Sequence, residues 1–339
     1  MFVDLIKRLL YISGALRLYH RLRNSRSLTV IMFHRVLDSS DPRWESCDPD
    51  YTLRVDHFDH CLRFFLKHYN TVSVEDVLAA RRGAAVLPAR ALLVTFDDGW
   101  SDTLDFAVPC LRKHGIPALM FVVADAVNRR AGFFQEQIVG AWRRGAIDTK
   151  RLALSLHPFL PGGAPTPPND AQGLRTLIAQ IEGLGAADRE RLLESLRDEL
   201  GDELRHMVSA DELRLLDESG VSIGLHGKTH TPMTVAPDLD AELAGARDAM
   251  AAHMAYRAPP TTMSFPHGRF DAAIAERARA SGYELVFTSV PVMNPTAAPL
   301  GWLLGRLGFE TASVVDAAGT FRADWLALNL FRRPCRLLD

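Results

Sequence analysis

Residues 91–99 read ALLVTFDDG, a run of apolar residues that ends abruptly in two aspartates and a glycine. Such a run, rich in branched and aromatic side chains, is typical of a strand that is buried on both faces. Residues 102–114 then have the composition of a helix that ends near Gly115, and PALMFVVA at 117–124 is a second apolar run. The order strand, helix, strand predicts a βαβ unit with parallel strands.

Apolar runs of strand length recur on both sides of this unit, separated by stretches with helical spacing. They are found at 28–33, 221–225, 261–265, 283–289 and 303–309. A chain in which strands alternate with helices folds as a parallel sheet or barrel, because the connecting helices cover the faces of the sheet. The sequence therefore predicts an α/β protein built around a parallel sheet or (β/α) barrel.

Residues 128–208 break the alternation with an arginine-rich helical stretch, the loop PFLPGGAPTPPND at 158–170 and a charged helical run. We predict a mostly helical insertion with a flexible loop. Its charged face is either solvated or serves as a lid or partner contact, and the sequence leaves these alternatives open. The predicted division of the chain is an N-terminal helix at 1–26, a barrel at 27–127 and 209–325, the insertion at 128–208, and a C-terminal tail at 326–339.

The formal net charge of −2 gives no overall field that would attract nucleic acid. The first 26 residues differ, because apolar residues at helical spacing alternate there with arginines and a lysine. No uninterrupted apolar run is long enough to span a bilayer, and no cleavage site of a secretion signal follows. Two interpretations stay open: an interfacial helix that contacts a membrane through residues 1–23, and a helix packed on the barrel. The expected location is the cytoplasm, with the inner membrane face as the site of any membrane contact.

Residues with acid, base or metal-ligand chemistry follow the ends of several predicted strands. They are His34, Asp97, Asp98, His226, His230 and His267. Active-site groups of parallel barrels gather at the carboxyl ends of the strands. These side chains are therefore expected to converge in one pocket.

The adjacent carboxylates of Asp97 and Asp98 repel each other and need a cation or hydrogen-bond donors nearby. His226 and His230 are four residues apart, close enough to share one metal ion. Two imidazoles and one carboxylate leave open positions on zinc, iron or cobalt, where water can be activated. A simple D-D-G turn and a pair of surface histidines are the structural alternatives.

Three segments carry a family resemblance in this order: TFDDGWSD at 95–102, HGKTHTPM at 226–233 and SFPHGR at 264–269. They resemble the first three motifs of the polysaccharide deacetylases, which are carbohydrate esterases with a NodB homology domain. The resemblance covers roughly residues 28–310 outside the insertion. It implies a distorted (β/α) barrel, often with seven strands, that removes N-acetyl groups from a polysaccharide or lipid-linked glycan with the help of a divalent metal ion.

The resemblance also implies a role for each polar residue by position. Asp97 would be the general base, and Asp98, His226 and His230 would hold the metal ion. Zinc is the first choice of metal, with iron, cobalt or nickel as alternatives. His267, which follows the proline of the third motif, would offer its backbone N–H to the oxyanion. The implied partner is an acetylated glycan or glycolipid, and the oligomeric state is left open.

The sequence departs from the family at the general acid. The late motif of the family contains a histidine, whereas LLGRLGFE at 303–310 has Arg306 and no histidine. The segment IMFHRV at 31–36 resembles a branch of the family in which an early histidine takes that place. His34 is accordingly the candidate acid, and His267 is its rival.

Further residues near the motifs are candidates for contact with the substrate. An arginine can bind substrate oxygens or orient Asp97, and a tryptophan can stack on a sugar ring, although surface pairing and core packing explain the same residues. The candidates are Arg35, Trp100, Pro266, Arg269 and Arg306. Two other functions fit the same residues: an O-acetyl esterase, whose leaving group demands less of a weak acid, and a catalytically silent glycan-binding barrel.

Overall fold

The computed structural model describes residues 2–297, 299–308 and 310–338. Met1, Ala298, Phe309 and Asp339 lie outside the described residues, and with them the outermost residues of the predicted N-terminal helix and C-terminal tail and the end of the last predicted strand. The strands are β1 (Ser27–Phe33), β2 (Arg35–Leu37), β3 (Thr52–Arg54), β4 (Asn70–Thr71), β5 (Ala91–Phe96), β6 (Ala118–Val122), β7 (Val221–Leu225), β8 (Thr262–Ser264), β9 (Leu285–Phe287), β10 (Asn294–Pro295), β11 (Leu303–Leu304) and β12 (Leu307–Gly308). The α-helices are α1 (Phe2–Ile12), α2 (Ala15–Arg23), α3 (Val55–His68), α4 (Val74–Arg81), α5 (Val108–His114), α6 (Phe134–Arg143), α7 (Thr149–Leu156), α8 (Ala171–Glu182), α9 (Ala186–Ser195), α10 (Arg197–Leu200), α11 (Ala210–Glu218), α12 (Leu239–His253), α13 (Ala272–Ala280) and α14 (Ala323–Phe331).

The chain divides into two compact units. The first contains the chain up to Leu37, Asp50–Asn128 and the chain from Met207 onward. Its parallel strands follow the order β1, β5, β6, β7, β8, β9, β11, and β12 pairs with β1. Only Gly305 and Arg306 separate β11 from β12, so this broken strand joins both ends of the sheet. The predicted distorted (β/α) barrel is confirmed, with seven strands when the broken strand counts as one.

The barrel strands are buried on both faces, as their apolar composition predicts. Every residue of β5 is buried, and alternate side chains belong to different apolar clusters. Leu93 and Phe121 lie in one cluster, whereas Val94 and Met120 lie in the other. Full burial of such a side chain contributes on the order of 1.5–3 kcal/mol. A shift of the strand by one residue would exchange the two sets, so packing fixes the register.

The two chain ends differ from the sequence-based division. The predicted N-terminal helix is broken into α1 and α2 at Gly14, whose φ of 79° lies in the left-handed region that glycine adopts without strain. The predicted tail is helical at its start, because α14 ends at Phe331. α1 and α2 both pack against α14. Of the described helices, none is long and apolar enough to cross a membrane.

The second compact unit contains Asp38–Pro49 and Arg129–His206. Its helices α6 to α10 share an apolar core of their own, which includes Leu177. The segment Asp38–Pro49, assigned to the barrel from the sequence, packs with these helices instead. Arg175 Nη2 donates to Asp48 Oδ1 at 2.7 Å, and a Cβ on Gly140 would lie 2.5 Å from the backbone oxygen of Ser46. Glycine is therefore required where α6 meets this segment.

Candidate active site

A carboxylate and two imidazoles meet at the carboxyl ends of β5 and β7. Asp98 Oδ1 lies 3.5 Å from His226 Nε2 and 3.3 Å from His230 Nε2. Donor atoms bound 2.0–2.1 Å from a tetrahedral ion are about 3.3 Å apart, so these spacings match a metal site better than direct hydrogen bonds. One donor atom from each residue lies within 4.8 Å of the others. The sequence prediction that these three side chains converge is therefore met, and their donors suit a divalent ion.

The imidazole of His226 is fixed in the state that a metal ligand needs. Its Nδ1 lies 3.0 Å from the backbone oxygen of Ser264, which can only accept a hydrogen bond, and 2.6 Å from the Ser264 hydroxyl, which can accept one while donating to Asp97 Oδ1 at 3.4 Å. Nδ1 consequently carries the hydrogen, and Nε2 keeps its lone pair for an ion. Burial lowers the pKa of His226 to about 4, because the charged ring would lose its hydration. The ring is therefore neutral at physiological pH.

The loop between the two histidines is held by Glu242 of α12. One carboxylate oxygen, Glu242 Oε2, accepts the backbone N–H groups of Lys228 and Thr229 at 2.9 and 3.1 Å. The other, Oε1, accepts the Thr229 hydroxyl at 2.5 Å. A buried carboxylate that accepts three hydrogen bonds fixes the loop path, and with it the position of His230.

Asp98 is oriented by a chain of buried side chains. Trp100 Nε1 donates to Asp98 Oδ2 at 2.9 Å, which leaves Oδ1 facing the histidines. The guanidinium of Arg35 lies 4.4 Å from the centre of the Trp100 ring. Arg35 is in turn paired with the buried carboxylate of Asp102 at 2.9 Å. This cation–π contact and ion pair lock the indole that positions Asp98.

Arg306, which lies between β11 and β12, binds both carboxylate oxygens of Asp97. Arg306 Nη1 and Nη2 donate to Asp97 Oδ1 and Oδ2 at 2.6 and 2.8 Å, and both side chains are buried. Arg306 Nε donates to the backbone oxygen of Thr288 at 3.1 Å. Burial is the largest influence and acts to raise the pKa of Asp97, but the charge and hydrogen bonds of Arg306, together with the nearby histidines, outweigh it and hold the pKa below its ordinary value. Asp97 is therefore an ionised carboxylate beside the histidine pair.

The backbone at the site adopts conformations that L-residues rarely occupy. Asp98, His230 and His267 have φ values of 79°, 70° and 55°. Such residues cost on the order of 1–3 kcal/mol each and concentrate at functional sites. Gly99 completes the turn at φ 90°, and a Cβ there would lie 3.0 Å from Val122 Cγ1. The fold therefore tolerates backbone strain at two metal-ligand residues and at His267, and this strained backbone sets the direction of their side chains.

The two candidate acids, His267 and His34, have different ring neighbours. The His267 ring is exposed and lies 4.7 Å from the His230 ring, measured between centroids. His34 is half-buried after β1, and its ring centroid lies 5.1 Å from that of Tyr51. A positive charge on His34 contributes to lowering the pKa of both Asp97 and Asp98. A cavity of about 400 Å³ opens at His34 and Tyr51.

A family model described as polysaccharide deacetylase matches residues 85–286. This range is more than half of the chain and contains the two aspartates, the two histidines and the third motif. The chain belongs to the polysaccharide deacetylase family. The predicted enzyme class, a deacetylase that acts on carbon–nitrogen bonds of a glycan, is confirmed with it. Assignment to the branch with an early FHRV segment stays a prediction.

Solved structures of deacetylases share the fold of this family member at low sequence identity. The Streptococcus pyogenes deacetylase PplD in complex with acetate is 15% identical, with a TM-score of 0.56 over 90% of this chain and 98% of that one. IcaB from Ammonifex degensii is 19% identical, with a TM-score of 0.55 over 90% and 97%. A de-N-acetylase from Aggregatibacter actinomycetemcomitans is 17% identical, with a TM-score of 0.52 over 83% and 94%. No curated protein sequence matches the chain.

Four of the predicted substrate-binding residues of this deacetylase are buried, and three of them contact other side chains of the site; for Arg306 this contact matches the second predicted role, orientation of Asp97. Arg35, Trp100 and Arg306 are each at most 2% exposed and hold Asp102, Asp98 and Asp97 respectively. Pro266 is also buried, and its Cγ would lie 3.1 Å from a Cβ on Gly227. Side chains so enclosed position the catalytic groups. The fifth candidate, Arg269, is exposed.

Three positioning residues of the deacetylase escaped sequence reasoning: Ser264, Glu242 and Asp102. Ser264 carries a polar side chain at the end of β8, and this signal could have revealed it, because strand ends in barrels carry site residues. Asp102 lies at the end of the first motif, but it does not adjoin Asp97 and Asp98, so no role was predicted for it. Glu242 has no local signal, since an acidic residue in the first turn of a helix is ordinary.

Proposed function

We propose that the protein is a metal-dependent N-deacetylase of glycans. One observation carries the proposal: three metal-ligand side chains at coordination spacing lie beside a separate, buried and ionised carboxylate. A binding site needs only Asp98, His226 and His230. The additional carboxylate of Asp97, held ionised by Arg306, is what hydrolysis requires and binding does not.

The donor set supports a divalent ion with nitrogen and oxygen ligands. Two neutral imidazoles and one carboxylate suit zinc and leave a position open for water, and iron, cobalt or nickel accept the same donors. When bound, the ion polarises the acetyl carbonyl and lowers the pKa of water. His226 is prepared for this ligand role by Ser264, and His230 by the loop that Glu242 holds.

In the proposed reaction, Asp97 removes a proton from the attacking water. Arg306 holds both carboxylate oxygens of Asp97, so the base is ionised before substrate binds and does not rotate away. The backbone N–H of His267 donates to the oxyanion that develops on the acetyl carbonyl. Cleavage of the C–N bond then yields acetate and a free amino sugar.

His34 is proposed to protonate the leaving amine. It directly follows β1, and a positive charge on its ring contributes to lowering the pKa of both Asp97 and Asp98. The cavity of about 400 Å³ beside it falls in the size range of small-molecule sites, and His34 lines it whereas Asp97 and the three metal-ligand side chains do not. Tyr51 is half exposed there and offers a ring face to a sugar. The exposed Arg269 is proposed to contact substrate oxygens. A similar fold in a de-N-acetylase and in a deacetylase with bound acetate supports an N-acetyl substrate.

The choice of acid can be tested by comparing two leaving groups. Replacing His34 with glutamine is expected to lower kcat on an N-acetylated oligosaccharide by about 10²–10⁴-fold, because an amine must be protonated to depart. An O-acetylated oligosaccharide is expected to lose much less, since an alkoxide departs more readily. Acetate release from both substrates measures the effect.

His267→Gln is the matched control, because it keeps the backbone N–H and removes only the rival imidazole. If His267→Gln loses the amidase rate and His34→Gln does not, His267 is the acid. A wild-type enzyme that releases acetate only from O-acetylated substrates would make the protein an esterase. Bound metal with no acetate release from any acetylated glycan would support a silent glycan-binding barrel.

A further inference from the structure

The first two helices expose an unusually large apolar surface. Nine large apolar side chains of α1 and α2 are between 40% and 78% exposed, and they account for more than half of the large apolar side chains exposed among the described residues. Scattered exposed apolar residues are ordinary in soluble proteins, whereas a contiguous patch marks a contact surface. This N-terminal apolar face comprises Val3, Leu5, Ile6, Leu9, Leu10, Ile12, Leu18, Tyr19 and Leu22.

The orientation of α1 is reversed relative to a helix packed on a core. Two of its charged side chains make contacts on the protein side, whereas Arg8 is exposed: Asp4 pairs with Lys7 at 3.6 Å and with Arg322 at 3.9 Å. Lys7 Nζ also lies 5.3 Å from the centre of the Trp325 ring of α14. An amphipathic helix normally buries its apolar stripe. Here charged and ring contacts hold the helix, so its apolar face is left for another surface.

The basic charge of the first 26 residues indicates which kind of partner surface the N-terminal apolar face contacts. Residues 2–26 contain six basic residues and one acidic residue, although the whole chain has a net charge of −2. Arg8, Arg17 and Arg21 are exposed beside the apolar face, and Tyr19 adds an aromatic ring of the kind found at membrane interfaces. Aliphatic side chains flanked by arginines match the acyl and headgroup layers of a membrane that contains anionic lipid.

We infer that the N-terminal apolar face docks the protein in the plane of an anionic membrane. α1 and α2 would lie at the interface without spanning the bilayer, with aliphatic side chains among the acyl chains and arginines at the phosphates. Of the two interpretations that the sequence left open, the exposure of the apolar residues favours the interfacial one. The anionic lipid of an inner membrane face fits this contact.

The docking surface is linked to the cavity beside His34. Arg23 Nη1, at the end of α2, donates to the backbone oxygens of Phe331 and Arg333 at 3.1 and 3.0 Å. Arg333 lines that cavity. The segment that ends α14 therefore contacts both α2 and the cavity. This link points to a glycan carried on a membrane lipid as the substrate class. The substrate assignment rests on the proposed deacetylase function.

Flotation with vesicles tests the docking directly. The full chain is mixed with phosphatidylcholine vesicles that either contain or lack phosphatidylglycerol. We expect flotation with the anionic vesicles that weakens as salt is added, because screening reduces the arginine contribution. A variant with Leu5→Gln, Leu9→Gln and Ile12→Gln is expected to bind more than about tenfold more weakly, since three aliphatic side chains leave the acyl layer.

A matched control carries Val86→Gln, Leu154→Gln and Leu215→Gln, which are exposed apolar positions elsewhere. This control is expected to float like the wild type. Absence of wild-type flotation, or equal loss in both triple variants, would overturn the inference. A wild type that forms a dimer in solution, loses it in the α1 variant and does not float would assign the face to a second copy instead.

The substrate class is tested separately with acetate release from one acetylated oligosaccharide, either free in solution or attached to a lipid in the vesicles. The α1 variant is expected to keep the wild-type rate on the free substrate and to lose at least about tenfold on the vesicle-bound one. Equal rates of wild type and variant on the vesicle-bound substrate would overturn the lipid-linked assignment. No release by any protein from either substrate would defeat the proposed deacetylase while leaving the flotation result intact.

Discussion

Replacing Asp97 with asparagine is expected to lower the rate of acetate release by about 10²–10⁴-fold, because the amide cannot accept a proton from water. The metal ligands are unchanged, so the variant is expected to keep its metal ion. Some stability will be lost, since Arg306 remains buried without its ionic partner. Steady-state kinetics on an acetylated oligosaccharide, at a temperature where circular dichroism shows a folded protein, measures the effect.

Asp102→Asn is the matched control, because it breaks a second buried aspartate–arginine pair in the same unit. It is expected to lose a similar amount of stability but far less of the rate, since Asp102 contacts Arg35 and the backbone N–H of Val36 and reaches Asp98 indirectly, through Arg35 and Trp100. Equal rate losses in the two variants would show that Asp97 contributes through folding and would remove it as the base.

Replacing Arg306 with methionine is expected to reduce the free energy of unfolding by about 3–5 kcal/mol, because the Asp97 carboxylate stays buried without its counterion. Proton uptake by Asp97 would limit the loss in stability and would also disable the base, so the rate falls as well. Denaturant unfolding and acetate release measure both effects.

The double variant Asp97→Asn with Arg306→Met tests whether the stability lost in Arg306→Met comes from leaving one buried charge without its partner. Removing both charges is expected to restore part of the stability lost in Arg306→Met, since no unpaired charge then remains buried. Activity is expected to stay low. An Arg306→Met protein as stable and as active as the wild type would mean that the ion pair has no role in either.

Local patterns in the sequence were enough to predict the barrel strands and the metal cluster. The run at 91–99 predicted both β5 and the placement of Asp97 and Asp98 at its end, since apolar composition and strand-end chemistry are short-range signals. His226 follows β7 for the same reason. The four-residue spacing then brings His230 to the same carboxylate.

Interactions that join distant parts of the chain could not be predicted in this way. The sequence offered Arg306 only as one of several arginines that could orient Asp97, because the two residues are 209 positions apart and no local pattern shows that their side chains meet. The hydrogen bond that Glu242 accepts from the backbone N–H of Lys228 depends on where α12 packs. The burial of Arg35 and Trp100 is likewise a property of the folded chain, so the sequence alone left substrate contact, ion pairing and core packing open for these two residues.

The most direct test of the proposed metal centre is the metal content of the purified protein after equilibration with zinc and removal of the unbound ion. We expect the wild type and Asp97→Asn to retain a single ion per chain, whereas His226→Ala loses most of it because one of three ligands is gone. A wild type that retains no divalent ion, or a His226→Ala protein that retains it as tightly, would contradict the assignment of Asp98, His226 and His230 as the metal ligands.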